Sequence, residues 1–231
     1  MKLDIRSSSD HDRAKRSIRL LLAEGRPIVR ESMTYLFARW PDFELVAVAA
    51  DAREVLVSAR QLTLDVVVLS MSTRGRGFFD LIKRVRALPQ DPPIVVIGGG
   101  SESTLAVRAL RAGVRGFLSD DGTPGELAAA VRAASAGELY VSRSLGSVLS
   151  YLLEYPQDTP EHARLSNREY EVLCLLGAGK AISSIAPQLG LSSKTISTYR
   201  SRLMRKLNLK NSAELIRYAI ENDLIAEASG A

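Results

Sequence analysis

Short apolar runs alternate with helical patterns over residues 18–141. One run, Val66–Leu69, is apolar at every position, as expected for a strand buried on both faces of a parallel sheet. Strands that alternate with helices form parallel sheets through right-handed crossovers, so the pattern predicts a doubly wound, five-stranded parallel α/β sheet. The predicted strands are Leu20–Ala23, Leu45–Ala49, Val66–Leu69, Ile94–Ile97 and Gly116–Leu118.

The segments after these strands carry helix signals. Pro27 suits the first turn of the first helix because its fixed φ is already helical. Asp51 and Thr123 offer side-chain oxygens that can cap the second and fifth helices. The fourth helix is predicted over Ser101–Ala112.

The last part of the chain changes to a purely helical pattern. Ser166 and Glu169 form a capping-box signature at the start of a helix. Gly190 supplies a chain reversal between two further helices, which is the geometry of a helix-turn-helix. The four predicted helices start after Ser166, at Ala181, after the cap Ser192 and after the cap Ser212, and the last one covers Ala213–Asn222.

The stretch Ser192–Leu207 predicts a basic helix with a thin apolar seam. Ile196, Leu203 and Leu207 recur at helical spacing and can face a core, while Lys and Arg side chains continue to Lys210 without a carboxylate. Such a helix suits the major groove of DNA, and the plainer alternative is a solvated basic face. The candidate DNA-binding residues are Lys194, Thr195, Thr198, Tyr199, Arg200, Arg202, Arg205 and Lys206.

Three segments here carry a family resemblance: Leu165–Leu173, Gly179–Lys180 and Lys194–Arg200. Together they resemble the LuxR/NarL-type helix-turn-helix DNA-binding domain. The resemblance implies that the third helix, Ser193–Leu207, is the recognition helix. The turn that usually reads Asn-Lys-Glu-Ile-Ala is Ile182–Ala186 here, a departure that changes surface charge rather than the fold.

The same resemblance implies that the fourth helix supports dimerisation. Ala213–Asn222 offers more apolar surface than so small a domain needs for its own core, so we expect a two-fold homodimer on DNA. The candidate dimerisation residues are Leu215, Ile216, Tyr218 and Ala219.

With Ala23–Glu31 and Ala112–Leu118 in place, residues 18–141 resemble the flavodoxin-like receiver domain of NarL/FixJ-family response regulators, which belong to two-component systems. In receivers an acidic pair ends the first strand, a phosphoacceptor Asp the third and a Ser or Thr the fourth, and a Lys follows the fifth. The resemblance therefore implies an atypical receiver, a pseudo-receiver without aspartyl phosphorylation. The residues at those places here are Glu24, Gly25, Ser70, Gly98 and Asp120.

These five residues at the carboxyl ends of the strands form what we call the strand-end site, and it has two interpretations. In the first, glycines that permit close approach and arginines that clamp a phosphate form a pocket for a small anionic ligand. In the second, which we favour, the site has lost its chemistry and the domain is a dimerisation or protein-contact module. The residues of the candidate pocket are Arg26, Ser70, Arg74, Arg76, Gly98, Gly99 and Gly100.

No catalytic residues, metal site or cofactor are expected, because Glu24 alone cannot hold Mg²⁺ firmly and Ser70 has no base nearby in sequence. Composition fits two folded domains in 231 residues, and the net charge of +5 permits a polyanionic partner. The single cysteine, Cys174, allows no disulfide within the chain. Without a signal peptide or a spanning apolar run, we expect a cytoplasmic protein.

The predicted organisation is a mobile leader (1–17), a receiver-like domain (18–141), a linker with an extra helix (142–164) and a DNA-binding domain (165–231). The residues that predict the linker helix are Leu145, Val148, Leu149 and Leu152.

These features predict a sequence-specific transcription regulator controlled by a phosphorylation-independent signal: a ligand, a partner or its expression level. The alternative is a protein-interaction module that forms heterodimers with another response regulator and modulates it. The basic face of Ser192–Lys210 favours the first. The expected partners are double-stranded DNA, a second copy of the chain and, at the receiver-like domain, a small ligand or a partner response regulator, but no membrane.

Overall fold

The computed structural model describes residues 17–73, 77–98, 103–142, 145–147, 150, 154, 159–222 and 224–225. A parallel sheet with helices on both faces is followed by a cluster of four α-helices. The predicted class, a doubly wound α/β domain followed by a helical domain, is therefore confirmed.

The sheet has the strand order β2-β1-β3-β4-β5-β6, with every pair parallel. Its strands are β1 (Ile18–Ala23), β2 (Phe43–Ala49), β3 (Val66–Ser70), β4 (Ile94–Gly98), β5 (Gly116–Ser119) and β6 (Tyr140–Val141). The helices that cover it are α1 (Pro27–Phe37), α2 (Ala52–Gln61), α3 (Phe78–Arg86), α4 (Ser103–Arg111) and α5 (Pro124–Ser135).

Central strands β1 and β3 are buried on both faces. Successive side chains of β1 alternate between two apolar layers: Leu20 and Leu22 pack in the layer that holds Phe37 of α1, and Leu21 packs in the layer that holds Val55 of α2. Since β3 is equally buried, the continuous apolar run that predicted it is explained by helices on both sides of the sheet.

The prediction of five strands is corrected, because the described residues form six. Tyr140 and Val141 pair with Gly116 and Phe117 and add a two-residue strand at the edge beyond β5. A segment of two residues is too short to show an alternation of apolar and polar positions, so pattern analysis does not detect it.

Predicted caps of the first domain are confirmed. The Asp51 carboxylate accepts hydrogen bonds from the backbone N–H groups of Arg53 and Glu54 at 2.8 and 2.9 Å. Thr123 and Glu126 form a reciprocal capping box at the start of α5. Each cap satisfies backbone donors that have no partner within the helix.

The helical domain contains α6 (Asn167–Gly177), α7 (Ile182–Leu189), α8 (Ser193–Lys206) and α9 (Ser212–Glu221). The predicted capping box of Ser166 and Glu169 opens α6. Gly190 follows α7 with φ +66°, the left-handed conformation that favours glycine, and Ser192 caps α8. The predicted helix-turn-helix is thus confirmed.

The cap of the last helix is corrected. Asn211, and not Ser212, is the N-cap of α9, and its Oδ1 accepts a hydrogen bond from the backbone N–H of Glu214 at 2.9 Å. The Ser212 hydroxyl instead accepts a hydrogen bond from Nη2 of Arg200 at 2.8 Å. Both residues are good caps by type, so residue type alone does not decide between them.

The segment that joins the two domains is described in part. Its end, Glu161–Arg164, forms a 3-10 turn that buries His162 against the helical domain, although the sequence placed it in the linker. The predicted leader up to residue 16, and Val148, Leu149 and Leu152 of the predicted linker helix, lie outside the described residues. None of the helices in the described part of the chain is both long and apolar enough to span a membrane.

A prediction concerns the contact between α6 and α9. Gly177 is buried, and a Cβ at this position would overlap Cβ of Ala219. We expect Gly177→Ala to lower the free energy of unfolding by about 1–3 kcal/mol, the usual cost of overpacking. Urea denaturation measures the change. The double variant Gly177→Ala/Ala219→Gly should recover most of the loss, and a Gly177→Ala protein as stable as the wild type would contradict this packing.

Candidate DNA-binding surface and strand-end site

Helix α8 presents its apolar seam to the domain core. Ile196 and Leu203 are fully buried, and Leu207, the C-cap, is nearly so, against α6 and α7. This confirms the predicted seam. The opposite side of the helix is left for polar and basic side chains.

The outer side of α8 is exposed and positive. Lys194, Thr198 and Arg202 follow one another at intervals of four residues, and all three side chains are exposed. Arg205 is also exposed, and no carboxylate lies on the helix. Of the remaining candidates, Thr195, Tyr199 and Arg200 are half-buried, and Lys206 is exposed.

Hydroxyl groups near the start of α8 are tied to the helix itself. The Thr198 hydroxyl donates to the backbone oxygen of Lys194 at 3.0 Å, and the Ser192 Oγ accepts from the Thr195 N–H at 3.1 Å. The Thr198 proton is therefore in use, while the hydroxyl oxygen of this exposed residue can still accept a hydrogen bond. Thr198 can accept a hydrogen bond from a base amino group or contact a thymine methyl.

One basic residue of α8 has a structural partner that the sequence did not reveal. Nζ of Lys206 lies 2.7 Å from Oε2 of Glu169, the buried carboxylate of the α6 capping box. Burial raises the pKa of Glu169, but the hydrogen bonds from Lys206 and Ser166 outweigh it, so the net pKa is lowered. Lys206 thus fixes the end of α8 to the start of α6 across 37 residues of sequence.

Most of the apolar side chains expected at a dimer contact are used inside the domain. Leu215 and Ala219 are buried against α6, and Tyr218 Oη accepts from the backbone N–H of His162 at 3.2 Å and lies 3.0 Å from its Nδ1. Ile216 stays exposed, and Ile220, which was not among the candidate dimerisation residues, lies one turn further along the same face. Ile216 and Ile220 therefore form the exposed apolar face of α9, because the core takes the other side of the helix.

At the carboxyl ends of the strands, Glu24 is buried within a hydrogen-bonded network. Its oxygens accept from Nε of Arg26 at 3.1 Å and from Nη2 of the same residue at 3.2 Å. The Ser72 hydroxyl also donates to Glu24, and it lies 3.0 Å from the Ser70 hydroxyl. Glu24, Arg26, Ser70 and Ser72 therefore form one connected group.

The charge of Glu24 is compensated from within this network. Burial raises its pKa, but hydrogen bonds from Arg26 and Ser72 act in the opposite direction and leave the pKa below its ordinary value of 4.5. Glu24 is consequently ionised at neutral pH. The guanidinium group supplies the positive charge that this carboxylate requires.

At the end of β4, an aromatic side chain fills the space beside the backbone. A Cβ at Gly98 would lie 2.9 Å from Cζ of Phe117 and 3.1 Å from Sδ of Met71. A side chain at this position is therefore excluded unless these groups move. The glycine is visible in the sequence, but the sequence does not indicate that Phe117 occupies the space of a side chain at position 98.

Asp120 follows β5 at the same edge. Its backbone N–H donates to the Gly98 oxygen at 2.9 Å. Partial removal from water raises the pKa of its carboxyl group, Glu24 and Asp121 raise it further, and Arg26 opposes the shift. The edge thus brings together Glu24, Gly25, Ser70, Gly98 and Asp120, whereas Arg74, Arg76, Gly99 and Gly100 of the candidate ligand pocket lie outside the described residues.

Each of the two domains matches a known protein family. The response regulator receiver domain matches residues 20–132, and the luxR family of bacterial regulatory proteins matches residues 163–219. The Fimbriae Z protein of Salmonella typhimurium is 31% identical over 207 residues, which cover 89% of this chain and 98% of that protein. The chain belongs to the response regulators with a LuxR-type DNA-binding domain.

Other members of this response-regulator family align over the same length. The response regulator UvrY of Escherichia coli is 27% identical over 208 residues, covering 90% of this chain and 95% of UvrY. The response regulator RcsB of Salmonella typhimurium, solved in a study of conformational dynamism for DNA interaction, has a TM-score of 0.74 at 23% identity and covers 89% of this chain and 98% of RcsB. RcsB thus shares the fold of both domains.

The strand-end residues do not fit the Mg²⁺ ion used by receivers of this family. A magnesium site needs oxygen ligands that are free to coordinate, but both Glu24 oxygens accept hydrogen bonds from Arg26, and Gly25 offers no second carboxylate. Within the described ranges, no three or more His, Cys, Asp or Glu side chains come together as a metal site.

A prediction concerns the pair of Glu24 and Arg26. Arg26→Gln leaves a buried carboxylate without its guanidinium, and we expect the free energy of unfolding at pH 7 to fall by about 1–3 kcal/mol. Because folding lowers the pKa of Glu24, the ionised carboxylate stabilises the wild type at pH values above 4.5, its ordinary pKa. The difference in the free energy of unfolding between the wild type and Arg26→Gln should therefore shrink as the pH falls below 4.5.

Urea denaturation at pH 7 and pH 4 measures both effects. Arg39→Gln, which removes an exposed arginine after α1, is the matched control and should change little. Equal stability of Arg26→Gln and the wild type at pH 7 would show that Glu24 does not need this partner.

Proposed function

We propose that this response regulator is a sequence-specific DNA-binding transcription regulator of the cytoplasm whose control does not depend on phosphorylation. The observation that carries the proposal is the exposed basic face of α8, held in place by the buried seam beneath it. Control then passes through a ligand, a partner or the amount of protein. RcsB, whose fold it shares, has been solved bound to the promoter rprA in the presence of the phosphomimetic BeF3⁻.

The orientation of the helix-turn-helix supports major-groove binding. α8 follows the Gly190 turn, and Lys194 lies in its first turn, where recognition helices reach base edges. In the proposed complex Lys194 and Thr198 contact bases, while Arg200, Arg202 and Arg205 contact phosphates. Lys206 contributes less to phosphate binding than its charge suggests, because Glu169 holds it.

A homodimer on DNA is part of the proposal. Ile216 and Ile220 are 37% and 58% exposed on one face of α9, a small apolar stripe that a second copy can cover. RcsB has been solved as two dimers bound to two parallel DNAs. Two-fold pairing would let two copies of α8 read half-sites about one helical turn apart.

Independence from phosphorylation is supported by the strand-end network. Ser70 stands at the end of β3 beside Ser72, and Arg26 neutralises Glu24 without a metal ion. Gly98 stands where receivers have a Ser or Thr at the end of the fourth strand, and Phe117 fills the space beside it. Asp120 would repel the phosphoryl group that a lysine would attract.

A second candidate function rests on α1. Ile28 and Tyr35 of this helix are 81% and 76% exposed, and they lie on the domain that would contact a partner. In this alternative the chain forms a heterodimer with another response regulator and modulates it. DNA binding by the full chain alone separates the two functions, because the alternative does not require it.

One prediction tests DNA binding. Lys194→Ala in the full chain should weaken binding to a selected operator by about 1–3 kcal/mol if Lys194 contacts a base. Lys83→Ala removes an exposed lysine on α3 and is the matched control. Fluorescence anisotropy measures both affinities, and unchanged binding after Lys194, Arg200 and Arg202 are all replaced by Ala would refute the role of α8.

Another prediction tests the mode of control. The wild type should acquire no phosphoryl adduct from a small phosphodonor with Mg²⁺, and its DNA affinity should be the same before and after treatment. Ser70→Asp should not restore phosphorylation, because the site still lacks a second carboxylate and still contains Asp120. Intact mass spectrometry gives the readout, and a Mg²⁺-dependent adduct on the wild type would overturn the proposal.

A further inference from the structure

The two domains meet through a buried arginine of α4. Arg108 is 7% exposed, and its Nη2 donates to the backbone oxygens of His162 at 2.7 Å and Ala163 at 3.3 Å. Nη1 donates to Oδ1 of Asn167 at 3.0 Å. The guanidinium carbon also lies 4.5 Å from the centre of the Tyr170 ring. One side chain of the receiver-like domain thus contacts the 3-10 turn and α6 of the DNA-binding domain.

A second contact joins α3 to α6. The backbone N–H of Phe79, in the first turn of α3, donates to Oε1 of Glu171 at 3.1 Å. Arg168 holds the other oxygen of Glu171 at 2.7 Å and lies 3.7 Å from Oδ1 of Asp80. Burial raises the pKa of Glu171, and Arg168 and the Phe79 N–H oppose the shift. This carboxylate is therefore desolvated by the contact.

The glycine before α3 permits a close approach of the domains. Gly77 has φ +52°, and a Cβ there would overlap the Arg168 guanidinium. Arg168 consequently lies where any other residue at position 77 would place its side chain. The backbone of one domain is thus shaped to admit a side chain of the other.

The contacts on the DNA-binding side come from residues 162–171 and leave the outer face of α8 open. Lys194, Thr198 and Arg202 are exposed in the same structure in which Arg108 and Glu171 are buried. A desolvated guanidinium with three oxygen acceptors and an aromatic ring is costly to separate from them, because hydrogen bonds from charged groups and desolvated cation–π contacts are among the stronger polar interactions.

We propose that Arg108 and Glu171 fix the DNA-binding domain on the receiver-like domain with α8 uncovered, so that the full chain binds DNA without an activating rearrangement. This inference rests on the proposed function, since it supplies the arrangement in which a regulator without phosphorylation remains active. The receiver-like domain is then a rigid support for α6 rather than a cover for α8.

The experiment measures the distance between the domains in the full chain. Cys174→Ser removes the native thiol, and spin labels at Ala129→Cys on α5 and Ala213→Cys on α9 occupy exposed positions. Pulsed electron spin resonance should give one narrow distance distribution for this protein. Arg108→Ala should broaden it, and Arg111→Ala, which removes an exposed arginine of the same helix, should not.

Two further variants guard against a fold defect in Arg108→Ala. Arg108→Lys keeps the charge but cannot reach the three acceptors together, and Glu171→Gln keeps an acceptor for the Phe79 N–H while losing its charge. Both should broaden the distribution less than Arg108→Ala. A wild-type distribution that is already broad, or one that stays narrow in all three variants, would overturn the proposal.

DNA affinity of the same variants, measured on one operator, gives the second readout. Arg108→Ala should not bind more tightly than the wild type, because α8 is already open. A gain of about tenfold, which corresponds to ~1.4 kcal/mol, would mean that the receiver-like domain covers α8 in solution, against the inference.

The outcomes also separate this inference from the proposed function. A narrow wild-type distribution together with an affinity that rises on treatment with phosphodonor and Mg²⁺ would refute phosphorylation-independent control and leave the fixed arrangement standing. A broad wild-type distance distribution, together with a DNA affinity that phosphodonor and Mg²⁺ leave unchanged, would refute the fixed arrangement and leave phosphorylation-independent control standing.

Discussion

Arg108 carries a permanent positive charge into the boundary between two domains, and a buried charge is stable only where the protein supplies hydrogen-bond acceptors in place of water. The acceptors come from one short stretch, the 3-10 turn and the first turn of α6, while the arginine comes from α4. Because hydrogen bonds are short-range and directional, those of Arg108 constrain the orientation of the helical domain on the receiver-like domain. In that orientation the outer face of α8 is exposed.

The same rule accounts for the strand-end site. A buried carboxylate at the end of β1 needs a cation, and in this chain Arg26 provides it from two residues further on. The end of β4 is closed in a different way, by the Phe117 ring above Gly98. The parallel sheet of the receiver domain is therefore kept, while a salt bridge lies at the carboxyl end of β1 and an aromatic ring at the carboxyl end of β4.

Sequence patterns predicted what depends on neighbours along the chain. Val66–Leu69 is predicted as a central strand because burial on both faces leaves every position apolar. The capping box of Ser166 is predicted because it is a motif of residues close together in the chain. The misses depend on residues far apart in sequence. The Lys206 contact with Glu169, the burial of Leu215 and the contacts of Arg108 between the domains are set by tertiary packing, and no periodicity or spacing encodes them.

The central claim is that the domains keep one arrangement when the chain acts on DNA. A structure of the full-length chain on its operator, determined without a phosphodonor, tests it most directly through the distance from Arg108 Nη2 to the His162 oxygen. The account predicts that this distance stays near its present 2.7 Å with α8 in the major groove. A complex in which α8 reaches DNA only after these two atoms have moved beyond hydrogen-bond distance would contradict it.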